Sequence, residues 1–201
     1  MFDRAATALI RPTVQGLARQ VVRTGVSANQ LTLTGFAIGL FAAYLIATES
    51  YLSGAAAIFV SRLLDALDGA VARLTQTTDA GGFLDIAFDF LFYASIPLAF
   101  AISDPARNAL PAAVLLAAFI GTGTSFLAFA VMAAKRGLSS VDYPNKSFYF
   151  LGGLTEATET LGCFAAMCVW PSYFIELAYG FAALCFVTTA TRIWWGWRTF
   201  S

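Results

Sequence analysis

Residues 51–102 read YLSGAAAIFVSRLLDALDGAVARLTQTTDAGGFLDIAFDFLFYASIPLAFAI. Two apolar runs, each at or above the roughly 20 residues a helix needs to cross a bilayer, are separated by the short polar stretch from Leu74 to Thr78. Ionisable side chains inside such runs are costly and face a cavity or a partner. Here they are Asp65, Asp68, Asp85 and Asp89, accompanied by Arg62 and Arg73. Asp65 and Asp68 are spaced i, i+3 and Asp85 and Asp89 i, i+4, so each pair occupies one face of its helix. At ~1.5 Å per residue, Asp68 and Asp65 lie about 8 and 12 Å from the Arg73 end, and Asp85 and Asp89 about 9 and 15 Å from the Asp79 end. The short turn makes the two helices antiparallel neighbours, so the spacing predicts four carboxylates converging in one cavity. Carboxylates that close cannot all stay ionised without cations. An all-oxygen donor set favours Mg²⁺ or Mn²⁺, and a pair of such ions is the usual arrangement for phosphoryl and pyrophosphate chemistry.

The rest of the 201-residue chain is equally apolar: 59% of its residues are hydrophobic and 12% charged, a balance far from that of soluble domains. Hydrophobic runs predict six membrane-spanning helices, at 29–48, 51–73, 79–102, 109–134, 147–170 and 173–198, in an all-α integral membrane protein with one domain over 1–201. Residues 29–198 form the six-helix core and 1–25 a juxtamembrane segment. Within 2–23, Arg11, Gln15, Arg19 and Arg23 share one face, with Leu9, Ile10, Val14, Leu17 and Val21 largely elsewhere. That pattern predicts an amphipathic helix lying in the interface, started or broken at Pro12. Its interleaved arginines are not those of a signal peptide. Under the six-helix reading, Arg4, Arg11, Arg19, Arg23, Arg73, Lys135, Arg136, Lys146, Arg192 and Arg198 fall on one side, leaving Arg107 on the other. Both termini and the aspartates are then expected on the cytoplasmic side of an inner or plasma membrane.

Composition also excludes chemistry. With no histidine in the chain, histidine acid–base catalysis and the usual zinc sites are absent. A formal net charge of zero leaves no electrostatic footprint for a nucleic acid. Cys163, Cys168 and Cys185 sit in apolar stretches without metal-ligand spacing and read as packing residues.

Asp65-Ala-Leu-Asp68-Gly69-Ala-Val-Ala72-Arg73 followed by Gly81-Gly82-Phe83-Leu84-Asp85-Ile-Ala-Phe-Asp89 resembles the signature of the CDP-alcohol phosphatidyltransferase family. That signature is Asp-x2-Asp-Gly-x2-Ala-Arg, a spacer, then Gly-x3-Asp-x3-Asp. Every signature residue is present, and the spacer between Arg73 and Gly81 has seven residues where the family usually has eight. The departure falls in the loop and leaves both helical faces intact. The resemblance implies that Asp65, Asp68 and Asp85 are metal ligands and that Asp89 is both a ligand and the catalytic base. It further implies that Gly69 and Ala72 make room for the cytidine nucleotide, that Arg73 neutralises its diphosphate, and that Gly81, Asn29, Thr32 and Thr78 are nucleotide contacts. It implies a homodimer as well, for which the small residues of Gly121-Thr-Gly123-Thr-Ser125 offer close helix packing. Ser27 or Asn29 is equally readable as the N-cap of the first spanning helix.

Acceptor-binding candidates are Lys146, Glu156, Lys135 and Arg192, with Arg136 beside Lys135. Glu156 is expected about 14 Å deep in the fifth helix, level with Asp65 and Asp89, and Glu159 is expected to pair with Arg62. Trp194, Trp195 and Trp197 read as an interfacial belt. The expected reaction moves a phosphatidyl group from a CDP-alcohol, CDP-diacylglycerol first, to an alcohol acceptor with release of CMP. Glycerol 3-phosphate leads as acceptor, with inositol phosphate, serine or another polyol behind it. A cation transporter would hold its aspartates near the midplane of repeated halves, and this chain has no such repeat. A membrane prenyltransferase would not carry the Gly-x2-Ala-Arg element, and a purely structural protein leaves the intramembrane charge without purpose.

Overall fold

A computed structural model of the protein describes residues 3–137 and 154–201. Every regular element among them is helical: α1 (Asp3–Thr24), α2 (Ala28–Ala47), α3 (Tyr51–Leu74), α4 (Asp79–Ser103), α5 (Pro105–Lys135), α6 (Ala157–Val169), a 3₁₀ turn (Pro171–Tyr173) and α7 (Phe174–Phe200). Among the described residues, four stretches, namely α2, α4, α5 and Pro171–Phe200, are long and apolar enough to cross a membrane. Their outward faces carry bare apolar side chains such as Leu40, Phe41, Tyr44, Leu98 and Ile120, as expected where the surrounding solvent is hydrocarbon. The 24-residue α3 has the length to cross, but its Arg62, Asp65, Asp68 and Arg73 keep it from reading as apolar.

Local chemistry sets the helix ends. Ser27 caps α2 through a reciprocal box with Gln30, whose backbone N–H donates to Ser27 Oγ at 3.3 Å while the Ser27 N–H donates to Gln30 Oε1 at 2.9 Å. Asp104 caps α5, accepting from the Arg107 N–H at 3.2 Å, and Pro105 follows at the first helical position, where its missing donor costs nothing. Arg136 closes the other end of the bundle by donating to the Thr199 and Phe200 carbonyls, the last of α7, where a cation also complements the helix dipole.

Two helix ends depart from the sequence expectation. Pro12 neither starts nor breaks α1, which runs through it. The proline faces outward, while Val14 and Ala18 just beyond pack on Leu67, Ala70 and Val71 of α3. Of the helix expected over 147–170, residues 154–156 are not helical and α6 runs from Ala157. Residues 154–156 are bent, tied to α7 by the Leu154 N–H and the Thr155 hydroxyl, both 3.1 Å from Thr188 Oγ1. Glu156 then takes an extended conformation and forms a capping box with Glu159. Lys146 and the first part of that expected helix lie outside the described residues.

The main core joins Ala42 and Ile46 of α2 to Phe92, Ile96 and Phe100 of α4, Leu115 of α5, Phe164 of α6 and Phe174 of α7. Glycines let the helices approach. A Cβ on Gly39 would stand 2.7 Å from the Phe92 ring, and one on Gly123 would run into the Phe90 ring. Gly121 is likewise filled from within, by the Thr189 hydroxyl of α7. Gly121 and Gly123 therefore serve packing inside the chain. All three cysteines are free, with Cys168 and Cys185 buried in the core.

Candidate active site

The α3–α4 junction is short because both helices stop themselves. Thr75 ends α3, its hydroxyl donating to the Val71 carbonyl at 2.9 Å, and Thr78 starts α4 by accepting from the Gly81 N–H at 3.1 Å. The pairing brings Asp65, Asp68 and Asp85 together: each offers a carboxylate oxygen, and the three oxygens lie within 4.8 Å of one another. Asp68 is buried, at 5% exposure, and its Oδ2 has no hydrogen-bond partner. A buried, unpaired carboxylate oxygen facing two more carboxylates suits a hard, oxygen-liganded divalent cation.

Asp89 stands apart from that trio. Its Oδ1 lies 2.5 Å from Arg62 Nη1, which is also 3.5 Å from Asp65 Oδ1. Asp89 is one turn deeper than Asp85, and Arg62 is one turn deeper than Asp65, so the guanidinium meets Asp89 first. Arg62 is fixed from its other sides. Its guanidinium carbon sits 3.9 Å from the Phe92 ring centroid, and Nη2 donates to Ser61 Oγ at 3.3 Å. Ser61 in turn donates to the Gly35 carbonyl at 2.7 Å. Arg62 thus serves Asp89 and Asp65, and the expected Glu159 partner is instead occupied by the capping box of α6, where its Oε2 accepts from the Glu156 N–H at 3.2 Å.

The residues expected around a nucleotide border this group. Thr32 is buried beside Asp68, its hydroxyl donating to the Ala28 carbonyl at 3.0 Å. The Arg73 guanidinium folds back over Gly69, with Nη1 3.3 Å from where a Cβ would be. Half-buried Ala72 precedes it. Around Gly81, Asn29 Oδ1 and Thr78 Oγ1 approach to 3.1 and 3.0 Å of the position a Cβ would take. Ser27 is the cap of α2, which leaves Asn29 turned toward α4. Thr78 is both a cap and a neighbour of the site.

The acceptor candidates separate. Arg192 Nη1 donates to the Thr122 carbonyl of α5 at 3.0 Å, and Glu156 lies close enough for its charge to act on Arg192. Gly123, next to Thr122, packs on Phe90, next to Asp89, so Arg192 is level with the carboxylates. Lys135, at the end of α5, is exposed. The role of Arg62 was missed from sequence: its spacing to Asp65 was visible, but nothing marked a partner 27 residues on in another helix.

Residues 25–197 match the family model of the CDP-alcohol phosphatidyltransferases. The chain is 49% identical to the "Inner membrane protein YnjF" of Escherichia coli over 199 residues, covering 99% of this chain and 97% of that one. It is 38% identical to an archaetidylinositol phosphate synthase of Pyrococcus horikoshii over 103 residues, covering 49% of this chain and 55% of the relative. Among solved structures it superposes on the phosphatidylinositol phosphate synthase of Mycobacterium tuberculosis with CDP-DAG bound, with a TM-score of 0.68, 19% identity, and coverage of 92% of this chain and 93% of that one. The same enzyme with manganese and citrate gives a TM-score of 0.66 at 20% identity, covering 92% of this chain and 88% of that one. At those identities the likeness establishes the fold.

Proposed function

Because this chain belongs to the CDP-alcohol phosphatidyltransferase family, we propose that it transfers a phosphatidyl group from CDP-diacylglycerol to the hydroxyl of a small polyol phosphate, releasing CMP, in phospholipid synthesis. The observation that carries the reading is the Asp65, Asp68 and Asp85 group with its unpaired buried oxygen. These three would hold Mg²⁺ or Mn²⁺, with Asp89 joining when a second ion is present. Bound there, the ions would neutralise the diphosphate and stabilise the charge that develops on the CMP leaving group. Arg73 adds a fixed positive charge over Gly69, while Asn29, Thr32, Thr78, Gly81 and Ala72 border the nucleotide. Asp89 takes the proton from the acceptor hydroxyl, whose oxygen forms the new bond to phosphorus as the bond to the CMP oxygen breaks.

For the acceptor, the archaeal relatives support inositol phosphate over the glycerol 3-phosphate favoured by sequence alone. Arg192 suits a phosphate and the neighbouring Glu156 a polyol hydroxyl; Lys135 and Lys146 are weaker candidates at the rim. We further propose six crossings of the inner membrane, α1 lying in its interface, and termini and site on the cytoplasmic side. The positive-inside distribution of Lys and Arg supports this orientation, and the name of the E. coli relative supports the membrane. A homodimer is proposed without a surface assigned to it, and crosslinking in native membranes that yields monomers alone would overturn it.

The test is CMP release from CDP-diacylglycerol by purified protein with Mg²⁺ or Mn²⁺, across inositol phosphate, glycerol 3-phosphate, inositol and serine, with Asp89→Asn as control. Metal-dependent release with a polyol phosphate, lost in the variant, is expected. Release with serine alone would overturn the acceptor and leave the chemistry standing. No release with any acceptor, from folded protein that binds metal, would overturn the transferase reading.

A further inference from the structure

Arg62 lies outside the family signature, yet it is the cation the structure puts among the carboxylates. Its side chain is 11% exposed, its Nη1 contacts both Asp89 and Asp65, and its plane is held against Phe92. Its Nε is buried without a hydrogen-bond partner, so the group is placed to face the carboxylates and not to satisfy all its own donors. Stacking on Phe92 and the Ser61 contact keep it there; a guanidinium so enclosed cannot swing into water to make way for another cation.

Charge balance then limits what the site can hold. With Asp65, Asp68, Asp85 and Asp89 ionised and Arg62 among them, one divalent cation leaves a single net negative charge. A second would turn the site net positive in a poorly screened setting, and would have to draw Asp89 away from Arg62. The diphosphate of a CDP-alcohol supplies the missing negative charge.

Building on the proposed metal-dependent transfer, we propose that Arg62 is the resident counter-ion of the site: it holds Asp89 in place of the second divalent cation and makes entry of that cation depend on the donor's diphosphate. One cation binds to Asp65, Asp68 and Asp85 in the free protein. The second arrives with the nucleotide, so the full metal complement forms only when there is a substrate to act on. Arg62 is therefore a positioning residue that acts through Asp89.

The test is Mn²⁺ binding to the purified full chain in lipid nanodiscs, read by electron paramagnetic resonance with and without CDP as the diphosphate probe. Wild type is expected to bind one Mn²⁺ alone and two spin-coupled ions with CDP, a comparison that needs no substitution. Arg62→Gln, with its fold checked by thermal unfolding, is expected to take up two ions without CDP, the second at least about tenfold tighter than in wild type. Arg62→Lys, which keeps the charge, is expected to stay at one. Two ions on wild type without CDP would overturn the proposal. So would folded Arg62→Gln that stays at one ion or binds Mn²⁺ more weakly than wild type. If wild type bound no Mn²⁺ under either condition, the metal reading of the site would fall with it.

Discussion

The two ends of α4 are built on opposite terms. Around Phe100 the protein is dense: Phe100 and Phe174 are fully buried and stacked with ring centroids 4.6 Å apart, Tyr51 stacks on the other side, and the Phe100 carbonyl accepts from Asn108 Nδ2 at 3.0 Å. Around Asp85 and Asp89 the same helix faces carboxylates, and the side chains are only half-buried. Among the described residues, the two buried side-chain polar atoms without a hydrogen-bond partner, Asp68 Oδ2 and Arg62 Nε, both lie in this second region. Unsatisfied polar groups are tolerated where ligands are to complete them, and the stability they forgo has to come from elsewhere in the fold. The aromatic end supplies it, and Phe92 joins the regions, with Arg62 on its ring and Phe164 against its edge.

That contrast is broken most forcefully by one substitution in each region. Asp68→Asn is expected to lower CMP release by about 10³-fold or more, since it weakens the charge held at the developing leaving group. The unfolding temperature in chelator should hold or rise, because a like charge is removed from a crowded site. Phe100→Ala is expected to cost about 3 to 5 kcal/mol of stability, with the turnover of the molecules that remain folded little changed. Thermal unfolding in detergent, paired with CMP release normalised to folded protein, reads both. Equal destabilisation by the two substitutions would mean that Asp68 is a structural group and that the division is wrong.

A smaller effect locates the boundary. Gly39→Ala would press a methyl within 2.7 Å of the Phe92 ring, and Gly54→Ala one within 2.6 Å of Ile46 Cγ1. The first overpacks an α2–α4 contact and the second an α2–α3 contact, and each should cost about 1 to 3 kcal/mol. Gly39→Ala alone disturbs the ring on which Arg62 rests, so it alone should also lower the turnover of folded protein, by about tenfold, with the donor KM nearly constant. Equal turnover losses in both variants would show that Phe92 does not separate the regions.

Much of this was legible in the sequence, for identifiable reasons. The bounds of α2, α3 and α4 follow from Ser27, the Leu74 to Thr78 turn and Thr78, since capping side chains and short polar turns act locally. The convergence of Asp65, Asp68 and Asp85 follows from helical spacing and the antiparallel turn. The start of α6 was hidden because Glu156 is not a favoured cap and the Glu156–Glu159 box resembles the polar face of a continuing helix. The contact of Asp89 with Arg62 across the helix pair was not legible, because it depends on rotation of α3 against α4, which spacing along one helix does not encode. Gly121 and Gly123 were legible as close-packing residues, and inside the chain they receive Thr189 and Phe90: small residues permit approach without saying what approaches.

The smallest expected effect lies at the far end of α2, beside the dense region, where the chain breaks a local rule outside the site. Glu49 has φ +63°, and its N–H donates to the Ile46 carbonyl at 2.9 Å while the Ser50 N–H donates to Leu45 at 2.8 Å. These bonds form a Schellman turn with Glu49 at the position that glycine favours, because only glycine takes that backbone conformation without strain. Glu49→Gly should therefore stabilise the protein by about 0.5 to 1 kcal/mol, seen as a modest rise in unfolding temperature. Transfer activity should not change, since Glu49 sits at the end of α2 opposite Asn29 and Thr32. A fall in CMP release at unchanged stability would mean that the two ends of the bundle are coupled, and that strain at Glu49 is held for the reaction and not merely tolerated by a well-packed fold.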